Sequence, residues 1–163
     1  MIIRTAQEKD INALLDIYNY EVENSTSTFD LNPKTLEQWT VWFNNHNIGN
    51  HPLIVAEIDG EVAGYASLSS YREKEAYKST VELSVYVDHQ KRGRGVATAL
   101  MRDIIAMAKA DTTIHTIVSV ITSENIVSEK LHYKMGFTHC GTIHQVGMKF
   151  GRYLDISNFE LQV

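Results

Sequence analysis

Apolar residues recur along this chain with two different periods, and the switches between them mark its elements. Ile2 to Arg4 predicts a short opening strand. Ile11, Leu14, Leu15, Tyr18 and Val22 then fall at helical spacing, the stripe of an amphipathic helix. Glu23 to Asn32 is polar and predicts a loop. A second helix is expected from about Thr35 to Asn45, with Leu36, Trp39, Trp42 and Phe43 on one side. Leu53–Ile58 and Glu61–Leu68 flank Asp59-Gly60, a strong hairpin signal. After a polar stretch from Ser70 to Lys78, Thr80 to Val87 alternates strictly. Val81, Leu83, Val85 and Val87 share one face of that strand, Glu82, Ser84 and Tyr86 the other.

The turn from Gln90 to Gly95 contains two glycines and leads into a helix striped by Ala97, Leu100, Met101, Ile104, Ile105 and Ala108. Thr116 to Thr122 is a β-branched run and predicts a buried strand. Asn125 to Met135 predicts a helix closed by Gly136. Two last strands, Phe137–Val146 and Leu154–Leu161, are expected around a turn at Gly151. The resulting order is β-α-α-β-β-β-α-β-α-β-β, a mixed α/β domain.

Composition narrows this little but usefully. The 163 residues fit one domain spanning 1–163, with no linker or repeat. Fifteen Lys and Arg against twenty Asp and Glu give a net charge of −5, which argues against a nucleic-acid footprint. No apolar run is long enough to span a membrane, and the N-terminus turns charged before a signal-peptide core could form. With the single Cys140, this predicts a cytoplasmic protein without an intramolecular disulfide. His139, Cys140 and His144 have no recognised metal-ligand spacing, so no metal is expected.

The segment from Val85 to Ala97 carries the chemistry. A strand ends, a few residues turn, and Gly93 and Gly95 lead directly into a helix whose N-terminus offers unpaired amides and the positive end of its dipole. Glycine lets that backbone approach a bulky anion closely. Lys91, Arg92 and Arg94 add positive charge. The segment lacks the P-loop pattern and the placement of a dinucleotide fingerprint. What remains is Gln90-x-x-Gly93-x-Gly95, which resembles the acetyl-CoA pyrophosphate loop of the GNAT superfamily of acetyltransferases.

The resemblance extends over nearly the whole chain. Ile3-Arg4-x-Ala6 with Asp10 and the helix through Ile17-Tyr18-Asn19 look like the superfamily's N-terminal region, and Asn125-x-x-Ser128-x-x-Leu131 before Gly136-Phe137 looks like its fourth helix. Thr28-Phe29, Ala76-Tyr77 before Thr80-Val81-Glu82, and Lys149, Gly151, Tyr153 and Asp155 resemble its phosphinothricin and methionine sulfoximine acetyltransferase branch. His132 stands where the superfamily usually carries tyrosine, with Tyr133 beside it, and that branch shares the histidine.

The resemblance implies a GNAT fold, acetyl-CoA as co-substrate and a homodimer. It further implies that backbone groups of Val85, Tyr86 and Val87 pair with the pantetheine arm. The amides of Gly93, Arg94, Gly95, Val96, Ala97 and Thr98 would hold the pyrophosphate, and Asn125 and Ser128 would touch the cofactor. An ammonium substrate must lose a proton before it attacks. Strand alternation makes Glu82 the candidate base, acting directly or through water. Either His132 or Tyr133 could protonate the leaving thiolate. Arg72 could clasp a substrate carboxylate, with Phe29 and Tyr77 as pocket walls and Lys74, Lys78 and Lys149 as competing cations. The expected activity is acetylation of the α-amine of a small amino-acid-like molecule. Two other readings stand beside it: acetylation of protein N-termini or lysines, and a regulatory module that binds acyl-CoA without turnover.

Overall fold

A computed structural model describes all residues, 1–163. β1 (Ile2–Thr5) leads through a 3-10 turn at Glu8–Asp10 into α1 (Ile11–Asn24). α2 (Leu36–Asn44), the hairpin β2 (Leu53–Ile58) and β3 (Glu61–Ser70), and β4 (Thr80–Val87) follow. The second half comprises α3 (Val96–Ala110), β5 (Thr116–Thr122), α4 (Ile126–Lys134), β6 (Thr138–Lys149) and β7 (Arg152–Gln162). This is the expected order.

The strands form one seven-stranded sheet in the order β1-β2-β3-β4-β5-β7-β6. Every neighbouring pair is antiparallel except β4 and β5. The alternation of β4 divides the core as its sequence predicts. Val81 and Leu83 face Leu100, Met101 and Ile104 of α3, in one apolar cluster that also holds Ala66 and Leu68 of β3. On the other face Tyr65, Leu53 and Val55 pack against Ile11, Leu14 and Ile17 of α1 and Trp39 of α2. Each fully buried Leu or Ile contributes about 1.5–3 kcal/mol to this packing.

Helix starts follow local chemistry. Thr35 caps α2 by accepting from the Gln38 amide at 3.2 Å, and the Gln38 side chain accepts from the Thr35 amide at 3.0 Å. Asn125 caps α4 by accepting from the Ser128 amide at 3.2 Å.

Two expectations need correction. Leu36 does not share the buried side of α2: it is 51% exposed, whereas Trp39 is 4% exposed and stacks between Tyr18 and Trp42. The last hairpin is longer than its apolar pattern suggests, because β6 runs to Lys149 and β7 starts at Arg152. Phe150 and Gly151 both take positive φ, 51° and 72°, the geometry of a two-residue hairpin turn. The strands beside that turn expose Met148 and Tyr153, so no buried face marks their extent in the sequence.

Gly64 on β3 shows how tightly the sheet meets α3. A Cβ there would stand 2.7 Å from the Tyr86 carbonyl oxygen and 3.1 Å from Val96 Cγ1. Gly64→Ala is therefore expected to lower stability by about 1–3 kcal/mol, read by urea unfolding. An unchanged midpoint would show that β4 and α3 give way freely.

Candidate active site

The sheet opens in its middle. β4 and β5 pair only from Thr80 to Glu82 against Thr116 to Val118, and β4 continues to Val87 without β5. On its other edge β5 pairs with β7 along its whole length, Thr116 to Thr122. Val85, Tyr86 and Val87 thus lie on a strand edge free for pairing on the β5 side, though β3 holds the opposite edge. An extended, amide-bearing chain fits such an edge by strand addition.

Immediately beyond the opening stands the glycine turn. Gly93 and Gly95 adopt φ of 75° and 78°, and open space lies where a Cβ would project from either. Gly95 caps α3, whose first helical bond runs from the Ala99 amide to the Gly95 carbonyl at 3.0 Å. The amides of Arg92, Gly93, Arg94 and Gly95 find no acceptor within the chain, and those of Val96, Ala97 and Thr98 precede the first helical bond. Such a row of donors suits a diphosphate. β4 and β5 are parallel, so α4 begins at the same end of the sheet as α3, bringing Asn125 and Ser128 to that end.

The basic side chains of the turn are already engaged. Lys91 Nζ donates to Glu61 at 2.7 Å, and Arg92 pairs with Glu21, a carboxylate of α1 that is 3% exposed. Ser25 also donates to Glu21, so this one carboxylate ties the glycine turn to the head of the α1–α2 loop. Arg94 has no such partner.

On the α1–α2 face of the opening lies a cavity of ≈ 440 Å³. Tyr18, Trp39 and Trp42 wall it, Tyr65 and Tyr86 lie along it, and Ser67, Ser69 and Ser84 supply hydroxyls. Glu82 shares this strand face with Ser84 and stands opposite Ser69 in the β3–β4 register. No cation or hydrogen-bond donor pairs with Glu82, and burial raises its pKa above the ordinary carboxylate value. A carboxylate of this kind is a better proton acceptor than a solvated one. Burial also raises the pKa of Tyr65 and Tyr86, which keeps both phenols protonated.

The α1–α2 loop is pinned over this region. Lys149 Nζ donates to the Thr28 carbonyl at 2.8 Å, Tyr18 donates to Asp30, and Thr26 donates to Glu124 at 2.6 Å. Arg152 binds Glu124 through two nitrogens at 2.7 and 2.8 Å and, as the larger cause, with Thr26, holds its pKa down to about 2. Phe29 packs across Gly147 of β6, where a Cβ would strike its ring at 2.4 Å.

The expected site residues separate into groups. Ser84 and Tyr86 of β4 line the cavity; Glu82 lies outside the lining but next to it, opposite Ser69 and one alternation step before Ser84, and the glycine turn follows β4. Phe29, Arg72 and Tyr77 do not line the cavity. Arg72 is exposed in the β3–β4 loop, its guanidinium 5.0 Å from the Tyr71 ring centroid and 5.7 Å from that of Tyr77. His132 is 5% exposed, with Nδ1 donating to the Ser128 carbonyl at 2.8 Å and Nε2 within 2.9 Å of the Ser119 hydroxyl. Burial lowers its pKa, and its ring packs against Phe137. Tyr133 is exposed and packs edge-on against Phe159. Cys140 lies exposed on β6, and slight desolvation together with the nearby Glu160 raises its thiol pKa, which leaves a poor nucleophile. No three His, Cys, Asp or Glu side chains are gathered as metal ligands.

Sequence reasoning missed His46, Ser69 and Glu21. His46, just past α2, binds Ser69 through Nε2 at 2.8 Å. The alternation of β3 holds the available signal: Ser67 and Ser69 alternate with Ala66 and Leu68, which puts two hydroxyls on the face opposite α3. Glu21 gives no such signal, because its partner is remote in sequence.

Comparison with known proteins agrees with this geometry. The profile of the acetyltransferase (GNAT) domain matches residues 3–157. The L-methionine sulfoximine/L-methionine sulfone acetyltransferase of Pseudomonas aeruginosa is 38% identical over 162 residues, covering 99% of this chain and 94% of its own length. A ribosomal-protein-alanine N-acetyltransferase from Brucella melitensis superposes with a TM-score of 0.96 at 39% identity, covering 100% of both chains. A phosphinothricin acetyltransferase from Sinorhizobium meliloti, solved with acetyl-CoA, gives a TM-score of 0.96 at 28% identity over 99% of this chain and 88% of the other. A split between parallel strands, a row of free amides at a helix start and this sequence similarity lead to one assignment: the chain is an N-acetyltransferase of the GNAT family.

Proposed function

We propose that this enzyme acetylates the α-amine of a small amino-acid-like substrate of the methionine sulfoximine or phosphinothricin type. The observation that carries the reading is Glu82, a partly buried carboxylate without a cationic partner, beside a cavity of ≈ 440 Å³ and next to an unpaired strand edge. That volume lies in the range of small-molecule sites. The loop pinned by Lys149 and Arg152 favours such a ligand over a peptide laid across an open trough, and the base retained at Glu82 favours turnover over mere sensing of acyl-CoA.

Acetyl-CoA supplies the acetyl group as a thioester. The amides from Gly93 to Thr98 hold its diphosphate, the Val85–Val87 backbone pairs with its pantetheine arm, and Asn125 and Ser128 add contacts at the head of α4. An amide of β4 near Val85 polarises the thioester carbonyl as charge develops on its oxygen. Glu82 takes a proton from the substrate ammonium, and the freed amine attacks directly, without a covalent enzyme intermediate. His132, once it has taken up a proton at Nε2, passes it through the Ser119 hydroxyl to the leaving thiolate and returns to its neutral form. Arg72 of the β3–β4 loop, which lies outside the cavity lining, receives a substrate carboxylate that projects beyond the cavity, with Tyr77 beside it. The exposed apolar residues of β6 and β7, including Ile143, Val146 and Met148, support a homodimer. The lone cysteine and the demand for acetyl-CoA support a cytoplasmic location.

Three outcomes are expected. Glu82→Gln should bind acetyl-CoA as wild type does yet lose turnover by about 10²-fold or more at neutral pH. Because Glu82 must be ionised to accept a proton, wild-type kcat/KM for the amine falls as pH drops through its raised pKa, and the variant lacks that step; a variant with wild-type turnover would remove Glu82 from the reaction. Arg72→Ala should raise the KM for methionine sulfone about tenfold while sparing the decarboxylated amine; equal effects on both would redirect the carboxylate to a lysine. Sedimentation should give twice the 18.5 kDa chain mass, and a monomer mass at micromolar concentration would contradict the dimer.

A further inference from the structure

A buried histidine can dictate which way a neighbouring hydroxyl points, and such a pair adjoins Glu82. His46 is 7% exposed; its Nδ1 lies 2.8 Å from the Trp42 carbonyl oxygen and its Nε2 2.8 Å from the Ser69 hydroxyl. A carbonyl oxygen only accepts, so Nδ1 carries the ring proton. Burial lowers the His46 pKa, which keeps the ring neutral near pH 7 and leaves Nε2 as an acceptor. Ser69 therefore donates its single O–H to His46. Its lone pairs remain for the cavity that it lines.

Ser69 is the direct cross-strand partner of Glu82. Opposed residues of this kind have Cβ atoms about 4.5–5.5 Å apart and point to the same side. One nitrogen can reach both. Ser69 would accept from it as a neutral hydroxyl, Glu82 as a carboxylate.

We infer that Ser69, oriented by His46, is a second acceptor for the hydrogens of the attacking nitrogen and makes the enzyme selective for primary amines. The inference rests on the amine occupying this cavity. The ammonium first gives one proton to Glu82, which passes it to solvent. The neutral primary amine then has two hydrogens and one lone pair. With one hydrogen on Glu82 and one on Ser69, the lone pair is the free direction toward the thioester carbon. The C–N bond forms, nitrogen gives a second proton to Glu82, the C–S bond breaks, and the thiolate takes up a proton. The product amide keeps one hydrogen. A secondary amine carries only one hydrogen at the moment of attack and cannot satisfy both acceptors. His46 touches no substrate and is a positioning residue.

The test compares methionine sulfone with its N-methyl counterpart in steady-state assays. Ser69→Ala should raise the KM for the primary amine about tenfold, leave the KM for acetyl-CoA unchanged and reduce the preference over the N-methyl compound by a similar factor. His46→Phe should reproduce this loss and add nothing further in the Ser69→Ala background. His46→Gln, whose side-chain carbonyl can take the Ser69 hydrogen, should restore most of the lost affinity. Should Ser69→Ala fail to fold, Ser69→Cys is read the same way, since sulfur accepts only weakly. An active wild type whose variants keep the amine KM within twofold, or raise both KM values alike, overturns this inference alone. A wild type that transfers acetyl to no primary amine overturns the proposed function with it.

Discussion

The fold depends on an interaction that its own strands leave unmade. After Glu82, β4 no longer pairs with β5, and backbone groups that a sheet would normally satisfy stay open. A few residues later the amides of the glycine turn and the first turn of α3 are also without partners. The glycine turn is exposed and the β4 edge half-buried, so water can meet these groups until a ligand takes its place. Here both sets lie at one end of the same strand. The first suits an extended amide chain and the second a diphosphate, and acetyl-CoA carries both in sequence.

The rest of the molecule keeps that opening in shape. α3 packs the face formed by Val81, Leu83, Ala66 and Leu68, and Gly64 allows β3, β4 and the head of α3 to meet closely. On the other face, α1 and α2 cover an apolar cluster beside a polar cavity, where Ser67, Ser69 and Ser84 stand in place of the apolar residues of a fully packed strand surface. Glu21 connects the halves by holding Arg92 of the glycine turn and Ser25 of the loop beside the cavity. Occupancy of the turn and the posture of the loop thus share one buried carboxylate.

Much of this was legible before any coordinates. Alternation in β4 separated Glu82 from the apolar face, and the spacing of Gln90, Gly93 and Gly95 before a helical stripe marked the glycine turn that opens α3. These features depend on residues near one another in sequence. The cavity wall was harder to read, because Tyr18, Trp39, Tyr65 and Tyr86 come from four elements, and aromatic residues at helical or strand spacing read equally well as core. Phe29, Arg72 and Tyr77 were expected together, yet two long loops hold them outside the cavity lining, and loop posture follows from remote partners such as Lys149 and Arg152. His132 was chosen for its chemistry; its surroundings, a helix carbonyl and the Ser119 hydroxyl, come from tertiary packing that no local pattern encodes.

A crystal structure with acetyl-CoA and a slow amine analogue tests the central claim most directly. The account predicts the diphosphate on the amides from Gly93 to Thr98, the pantetheine arm along Val85–Val87, and the thioester carbon facing the side of the sheet that bears Glu82. A diphosphate bound elsewhere, or a thioester turned toward α3, would contradict it.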